Sequence, residues 1–462
     1  MSDNTGVVYL VAAILAVAAS LAAQPSEAEI RQILADRIDV RHLSIGMVAG
    51  IITPKGRLVA SYGNLDRRDP RPVNGDTVFE IGSVTKVFTA LLLADMVVRG
   101  EVALNDPVKK YLPGNVRVAE RDGRAIALVD LATHTSGLPF FPSNFPPVED
   151  RAAYARYSVD RLYESLSSEL PCAPGTRWEY SNTGAGLLGL ALGRRAGMDY
   201  ESLVRVRITG PLGMERTANE VSSQMKSRLA AGHDEQLEPA PRWELPALPG
   251  AGSLHSTAND LLDLLGAFLG YTESPLAPAM AAMPETSRSN ELYQIDQALG
   301  WFVIGKGDDR IFVHEGGTFG FASYLAYDPK NRTGVVVLSN ATAGVGDIAL
   351  HLLRAGFPLN APKPRKPRPE VAVDAGLFDQ YAGRYDAGGG WVYAVTHEGD
   401  ALRIQLPAAP KFRLLAETER DFFVKEADIQ ISFERDEKGR ASGLILHLWG
   451  LNLPAKRLEA PK

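Results

Sequence analysis

The chain has 462 residues, of which 45% are hydrophobic and 23% charged, and a formal net charge of -6 at pH 7. This length predicts two folded units with connectors, and the composition is typical of a globular protein with a sizeable core. A mildly acidic chain offers no basic surface for nucleic acid, so nucleic-acid binding is excluded. The single cysteine, Cys172, excludes an intramolecular disulfide and a zinc site built from several thiolates.

Residues 1–23 are predicted to be a signal peptide or an N-terminal membrane anchor. The run 7-VVYLVAAILAVAASLAA-23 is short for a membrane span and ends in the small residues that a signal peptidase reads. The preceding residues include Asp3 and no Lys or Arg, so the usual positive region is missing. Export to the periplasm or the exterior is the favoured expectation, and an uncleaved anchor or a mis-set start stays open.

Short β-rich runs lie near both ends of residues 28–357. One hairpin is predicted from 46-GMVAGIIT-53 and 57-RLVASYG-63, and a second from 322-ASYLAYDP-329 and 334-GVVVLSN-340. Strands from the two ends of this region are therefore expected to form the sheet of one unit.

Helical runs fill the middle of the same region. Apolar residues recur at helical spacing over residues 86–99, 183–197 and 258–270. The pattern predicts an α+β fold with a terminal sheet and a helical middle.

The stretch 358-PLNAPKPRKPRPEVAV-373 alternates proline with basic residues, which is typical of a stiff extended linker. Beyond it, residues 374–460 show short alternating strands separated by glycine, proline or charged turns about every ten residues. That spacing predicts a small antiparallel all-β barrel or sandwich.

Ser83 and Lys86 stand at the start of the helix in 81-IGSVTKVFTALLLADMVVRG-100. Their spacing of three places both side chains on one helix face. A lysine whose stem points toward apolar neighbours has a lowered pKa and can accept a proton from a nearby hydroxyl. For Ser83 alone the simpler interpretation is a helix N-cap, and Ser-x-x-Lys by itself is weak evidence.

Tyr180 and Asn182 occupy a loop just before the next predicted helix, in 178-WEYSNTGAGLLG-189. A tyrosine near lysines is expected to have a depressed pKa and to act as a base, while Asn182 can donate to a carbonyl and accept from an ammonium. The structural alternative is that Tyr180 packs in the core and Asn182 caps the helix.

The segment 313-VHEGGTFGFASYLAYDP-329 begins as a strand but carries glycines, which mark the close approach of a ligand or another backbone. His314 is expected to hydrogen-bond the site's tyrosine or the substrate, and the amides of Gly317 and Ser83 are candidate oxyanion donors. A metal site at His314 and Glu315 is disfavoured because no second histidine follows at helical spacing. His134, in 131-LATHTSGLP-139, is interpreted as structural.

With these three segments in this order, the chain resembles the penicillin-recognising serine hydrolases, in the class C β-lactamase-like branch with D,D-peptidases, D-aminopeptidases and family VIII esterases. The motifs that carry the resemblance are Ser83-Val84-Thr85-Lys86, Tyr180-Ser181-Asn182 and His314-Glu315-Gly316. Stretches such as 79-FEIGSVTK-86 and 174-PGTRWEYSNTG-184 also look like this branch, and the likeness covers roughly residues 30 to 355. No Gly-x-Ser-x-Gly elbow of an α/β-hydrolase is found.

The resemblance implies an acyl-enzyme on Ser83, with Lys86 and Tyr180 sharing the proton transfers. Asn182 would hold the substrate amide or order the lysine, and a third group, His314, Gly316 and Gly317, would line the substrate site. It also implies an antiparallel sheet flanked by helices, a helical lobe, and a C-terminal barrel resembling the lipocalin-like domain of some relatives. No metal or cofactor is expected.

The third motif departs from its β-lactamase form. His314 replaces a lysine, so a fixed charge becomes a group that is mostly neutral near pH 7. Glu315 replaces a threonine that helps to bind the substrate carboxylate, and strand alternation leaves open whether Glu315 faces the site. If Glu315 faces the site, both changes lower the expected affinity for anionic β-lactams and add weight to an esterase or a D-amino-acid peptidase.

The leading hypothesis is a serine hydrolase of small molecules or peptides, acting on β-lactams or D-alanyl peptides. The alternatives are a carboxylesterase acting on small esters, a D-amino-acid peptidase, and a non-enzymatic penicillin-binding receptor in which an acylated Ser83 is not released. The sequence leaves the oligomeric state open.

Overall fold

The computed structural model describes residues 25–147, 150–290, 295–360, 369–374, 376–388, 391–406, 411–425, 429–436, 439–448 and 451–459. The predicted signal or anchor segment (1–23) and half of the predicted linker (361–368 of 358–373) lie outside the described residues. Within the described ranges, no helix is both long and apolar enough to cross a bilayer.

A nine-stranded antiparallel sheet forms the framework of the first unit. Its strands are β1 (Gly46–Thr53), β2 (Gly56–Asp66), β3 (Asp69–Pro72), β6 (Ser287–Asn290), β7 (Ile295–Ala298), β8 (Trp301–Ile304), β9 (Ile311–Gly317), β10 (Ala322–Asp328) and β11 (Thr333–Ser339). They are ordered β3-β2-β1-β11-β10-β9-β8-β7-β6, so the N-terminal hairpin pairs with the last strand of this unit. Both predicted hairpins are present as β1–β2 and β10–β11. A short pair, β4 (Phe79–Glu80) and β5 (His255–Ser256), lies outside this sheet.

Helices cover the sheet and build a separate lobe. They are α1 (Glu27–Ala35), α2 (Thr85–Val98), α3 (Leu128–Ala132), α4 (Arg151–Tyr154), α5 (Val159–Ser165), α6 (Asn182–Ala196), α7 (Tyr200–Val204), α8 (Gly210–Leu212), α9 (Ser223–Lys226), α10 (Pro249–Gly252), α11 (Ala258–Phe268), α12 (Ala277–Ala282) and α13 (Gly346–Leu353). The predicted α+β architecture is therefore confirmed.

The two faces of the sheet bury different helices. One face packs against α1 and α13 through residues such as Ile30 and Ile348. The other face packs against the larger core that includes α2 and α11. Along β9 the alternation of side chains assigns Val313 to the first face and Phe312 to the second.

Helix α2 is the central helix of the unit. Twelve of its residues are buried, including Lys86. The apolar residues of the helix lie on all of its sides. A helix that is apolar all round needs a fully buried position. Its first turn is thereby fixed between the sheet and the helical lobe.

The C-terminal unit is a closed antiparallel barrel preceded by a short helix, α14 (Gly376–Tyr381). Its eight strands are β12 (Gly383–Gly388), β13 (Trp391–Glu398), β14 (Ala401–Gln405), β15 (Lys411–Ala416), β16 (Asp421–Phe423), β17 (Ile429–Arg435), β18 (Ala441–Leu448) and β19 (Leu451–Arg457). Alternate residues such as Leu402 and Ile404 are buried. Side chains thus fill the interior, as eight strands allow.

The β9 strand approaches the segment before α2 very closely. A Cβ added to Gly316 would collide with the Ile81 carbonyl oxygen and the Ser323 hydroxyl, whereas a Cβ on Gly317 would meet no heavy atom within 4 Å. The Ser323 hydroxyl also donates a hydrogen bond of 2.8 Å to the Ile81 carbonyl. The close approach of β9 to Ile81 therefore requires a glycine at position 316. It does not require the glycine at position 317.

We therefore expect Gly316→Ala to lower the free energy of unfolding by roughly 1–3 kcal/mol through overpacking. Gly317→Ala is the matched control, expected to stay within about 0.5 kcal/mol of the wild type. Thermal denaturation of both variants measures the difference. Equal stability of the two variants would contradict the packing argument.

Candidate active site

Ser83 lies in a single 3-10 turn, Gly82–Val84, that leads directly into α2. Gly82 has a φ of +48°, a conformation that favours glycine, and its α-carbon faces the backbone of Gly317. Ser83 is thus presented beside the end of β9. The alternative that Ser83 is a helix cap is wrong, since α2 has no side-chain cap at its N-terminus.

Lys86 lies directly beside the Ser83 hydroxyl. Its Nζ is 3.0 Å from Ser83 Oγ, 2.7 Å from Asn182 Oδ1 and 2.6 Å from the Ala251 carbonyl oxygen. The side chain is only 3% exposed, and burial lowers its pKa well below the ordinary value. The predicted pairing of Ser83 with a lysine of reduced proton affinity is present in the structure.

Tyr180 completes the group on the other side of Ser83. Its side chain hydrogen-bonds Ser83, and Lys86 Nζ lies 4.8 Å from its ring centroid. The expectation that its pKa is depressed is wrong. Burial raises the Tyr180 pKa well above 10, and the hydrogen bond with Ser83 only partly opposes that rise. Tyr180 is therefore a neutral phenol at physiological pH.

Asn182 begins α6 and reaches the same lysine. The alternative that it caps this helix is wrong, because Ser181 is the N-cap and accepts a hydrogen bond of 2.8 Å from the Gly184 amide. Asn182 is left to accept from Lys86.

His134 is a further polar residue beside Tyr180. The sequence analysis did not assign it to the site. Its ring centroid is 4.3 Å from that of Tyr180, and its Nδ1 accepts a hydrogen bond from the Ser181 amide at 3.2 Å. Burial, reinforced by the charge of Lys86, lowers the His134 pKa well below 6.5. His134 thus supports Tyr180 as a neutral ring. Its contacts with Tyr180 and the Ser181 amide bridge 46 and 47 positions of the chain, and such distant contacts are not readable from the sequence.

His314 faces the site from β9, on the same strand face as Phe312 and Gly316. Its Nδ1 donates to the carbonyl oxygen of Glu315 at 2.8 Å, so Nε2 is the unprotonated nitrogen. Burial, followed by the charge of Lys86, lowers the His314 pKa to about 3. The expected neutrality of this residue is present.

The expected hydrogen bond between His314 and the site's tyrosine is not formed. Instead, the His314 Nε2 is buried without a hydrogen-bond partner among the described residues. A buried acceptor left unpaired costs about 1–3 kcal/mol, so a substrate donor is a natural partner for it. Glu315 belongs to the opposite strand face, with Val313, and is exposed. It therefore does not take the position of a substrate-binding threonine in the site.

Helix α10, which carries Ala251, is held in place by close packing against α6. A Cβ on Gly186 would collide with Leu248, and one on Gly189 would lie 3.1 Å from the α-carbon of Gly250. Thr89 also donates a hydrogen bond of 2.8 Å to the Gly250 carbonyl. The Ala251 carbonyl contact to Lys86 is a second feature that no sequence pattern indicated.

The two proposed oxyanion donors lie near each other. The Gly317 nitrogen is 2.8 Å from the position of a Cβ on Gly82, the residue that precedes Ser83. Two backbone amides so placed, one at a helix start and one at a strand end, are suited to bind developing negative charge. Within the described residues, no group of three or more His, Cys, Asp or Glu side chains is arranged to hold a metal ion.

Comparisons with known proteins agree with this geometry. A family model described as beta-lactamase matches residues 27–357, and one described as a domain of unknown function (DUF3471) matches residues 367–459. The D-alanyl-D-alanine-carboxypeptidase/endopeptidase AmpH of Escherichia coli (strain K12) is 30% identical over 346 residues, which cover 69% of this chain and 87% of that protein.

Two further relatives extend the likeness. Penicillin-binding protein 4* of Bacillus subtilis (strain 168) is 26% identical over 411 residues, covering 83% of this chain and 89% of that protein. The crystal structure of a class C beta lactamase from Rhodobacter sphaeroides superposes with a TM-score of 0.58 and 28% identity, covering 71% of this chain and 98% of that one. The chain therefore belongs to the β-lactamase family and is a serine hydrolase of the penicillin-recognising superfamily.

Proposed function

We propose that this enzyme works through an acyl-enzyme on Ser83 and hydrolyses β-lactam or D-alanyl peptide amide bonds. The observation that carries the mechanism is the set of contacts around Lys86 Nζ. Its partners Asn182 Oδ1 and the Ala251 carbonyl are both acceptors. A neutral amine has two N–H groups and one lone pair, so these two acceptors engage both hydrogens. The lone pair is then directed at Ser83 Oγ, 3.0 Å away.

In the proposed reaction Lys86 takes the Ser83 proton as Oγ attacks the carbonyl carbon, and the amides of Ser83 and Gly317 bind the oxyanion. As the amide C–N bond breaks, the neutral Tyr180 phenol donates a proton to the leaving nitrogen and recovers one from Lys86. Water then hydrolyses the acyl-enzyme. The buried His314 Nε2 supports a role in binding a substrate donor.

The proposed substrate class rests on the activities for which the relatives are named and on the site. The Escherichia coli relative is named a D-alanyl-D-alanine-carboxypeptidase/endopeptidase, and several others are named beta-lactamases. A small ester is the second candidate, because the neutral His314 provides no fixed charge for a carboxylate beside the leaving group.

An intact-mass time course with a penicillin tests the acyl-enzyme, with Ser83→Ala as the control. We expect a mass increase equal to the antibiotic in the wild type and none in the variant. Decay of the adduct with release of ring-opened product indicates a β-lactamase, and a persistent adduct indicates a slowly deacylating peptidase or receptor. An equal adduct in the Ser83→Ala variant would contradict acylation at Ser83.

The pH dependence of acylation separates Lys86 from Tyr180 as the base. A protonated Lys86 cannot accept the serine proton, so the acylation rate should fall as the pH falls through the lowered pKa of Lys86. Tyr180→Phe should slow acylation by about 10²- to 10³-fold but retain this acid limb. Stopped-flow acylation rates from pH 5 to 10 measure both effects. Loss of the acid limb in Tyr180→Phe, with Lys86 intact, would instead identify a phenolate base.

A further inference from the structure

Lys86 and His314, at the buried base of the site, both hold a proton less readily than an exposed lysine or histidine. The pKa of Lys86 is lowered well below its ordinary value, and that of His314 is lowered to about 3. The third motif of the chain therefore supplies no cation near neutral pH. An anionic substrate needs a cation from another part of the site.

Arg151, the first residue of α4, lies over an aromatic platform. Its guanidinium carbon is 4.4 Å from the centroid of the Phe319 ring. Phe319 is fixed by Trp243, with ring centroids 4.6 Å apart, and by Tyr154 at 5.4 Å. The stacked guanidinium is held in a defined orientation while its N–H groups stay available for planar recognition of a carboxylate.

The neighbours of Arg151 among the described residues leave its charge unpaired. In the part of the chain that the structure describes, Arg151 takes part in no ion pair. The adjacent Asp150 instead caps α4 and accepts from the Ala153 amide at 3.2 Å. Arg151 is partly exposed, so a ligand can reach it.

The platform, formed by Phe319, Trp243 and Tyr154, borders the turn that carries Ser83. Phe319 follows Gly317 by two residues, a distance of at most about 7 Å between α-carbons. Trp243 Nε1 lies 3.3 Å from the position of a Cβ on Gly252, and that position is 3.5 Å from the carbonyl carbon of Gly82. Both aromatic residues therefore adjoin the Ser83 turn.

The platform lies at the end of the site remote from Tyr180. Phe302 contacts both Tyr180 and His314, with centroid distances of 6.4 and 5.4 Å, so Tyr180 lies near His314, the middle residue of β9. Phe319 follows Gly317, the last residue of β9, by two positions. Because Tyr180 would protonate the leaving group, the acyl portion of the substrate extends toward Phe319.

From these positions we propose that Arg151 binds a carboxylate carried by the acyl portion of the substrate. This inference rests on the proposed acyl-enzyme function and adds a substrate class to it: acyl groups with a free acidic side chain or terminus. Arg151 acts in recognition and not in the chemical step, because it lies outside the group formed by Ser83, Lys86 and Tyr180.

The test uses two 4-nitrophenyl esters with the same leaving group, the half ester of adipic acid and its methyl ester. Wild type, Arg151→Gln, Arg151→Lys and the control Arg156→Gln are compared by their ratio of kcat/KM for the acid and the methyl ester. Arg156 is exposed and lies five residues further along the chain.

We expect Arg151→Gln to lower this ratio by about 10-fold, mainly through KM, because a charge-assisted hydrogen bond is lost. Arg151→Lys should be intermediate, since lysine lacks the planar fork, and Arg156→Gln should keep the wild-type ratio. An unchanged ratio in Arg151→Gln, or an equal loss in Arg156→Gln, would contradict the role of Arg151. Neither result would contradict the acyl-enzyme proposal. Absence of Ser83-dependent hydrolysis of both esters by the wild type would instead overturn the acyl-enzyme proposal and, with it, this one.

Discussion

The burial of Lys86 is the constraint on which the rest of the site depends. An ammonium group in an apolar interior is unfavourable unless it finds strong partners, and a lysine placed there loses proton affinity. The chain surrounds Nζ with oxygens of Asn182, Ala251 and Ser83, none of which is a carboxylate. Neutral acceptors orient the amine without raising its pKa as a carboxylate would, and a lowered pKa suits the proposed general base.

Three separate parts of the fold must meet for that arrangement to exist. Helix α2 brings Lys86, helix α6 brings Asn182, and helix α10 brings the Ala251 carbonyl. Glycines make the meeting possible: Gly186 and Gly189 let α10 approach α6, and Gly82 and Gly316 let the Ser83 turn approach β9. The same close packing that fixes Lys86, the proposed base, therefore also places Ser83, the proposed nucleophile, near the candidate oxyanion donors.

Sequence reasoning predicted the parts of this molecule that have local signals. The β1–β2 and β10–β11 hairpins follow from alternating residues and turns, and the barrel follows from strand spacing. Ser83 and Lys86 could be paired because three residues along a helix fix their relative position.

What sequence reasoning could not supply depends on distant contacts and on burial. The Ala251 carbonyl reaches Lys86 across 165 positions of the chain, and no residue type announces a backbone contact. The direction of the Tyr180 pKa was predicted wrongly because proximity to a lysine was weighed without burial. Burial outweighs the proximity of the lysine. It raises the pKa of Tyr180 and lowers the pKa of Lys86.

The proposed division between a Lys86–His314 group of low proton affinity and a charged Arg151 would let one site be both reactive and selective. A fixed cation beside Lys86 would lower the lysine's pKa further but would add a second buried charge, with its own desolvation cost. With His314 neutral, the site avoids that cost and keeps a hydrogen-bond acceptor in its place. A charge on the partly exposed Arg151 would stay solvated until a substrate arrives, and it would add selectivity without a second charge beside Lys86. In the proposed mechanism, Arg151 serves recognition, and Ser83, Lys86 and Tyr180 carry out the chemistry.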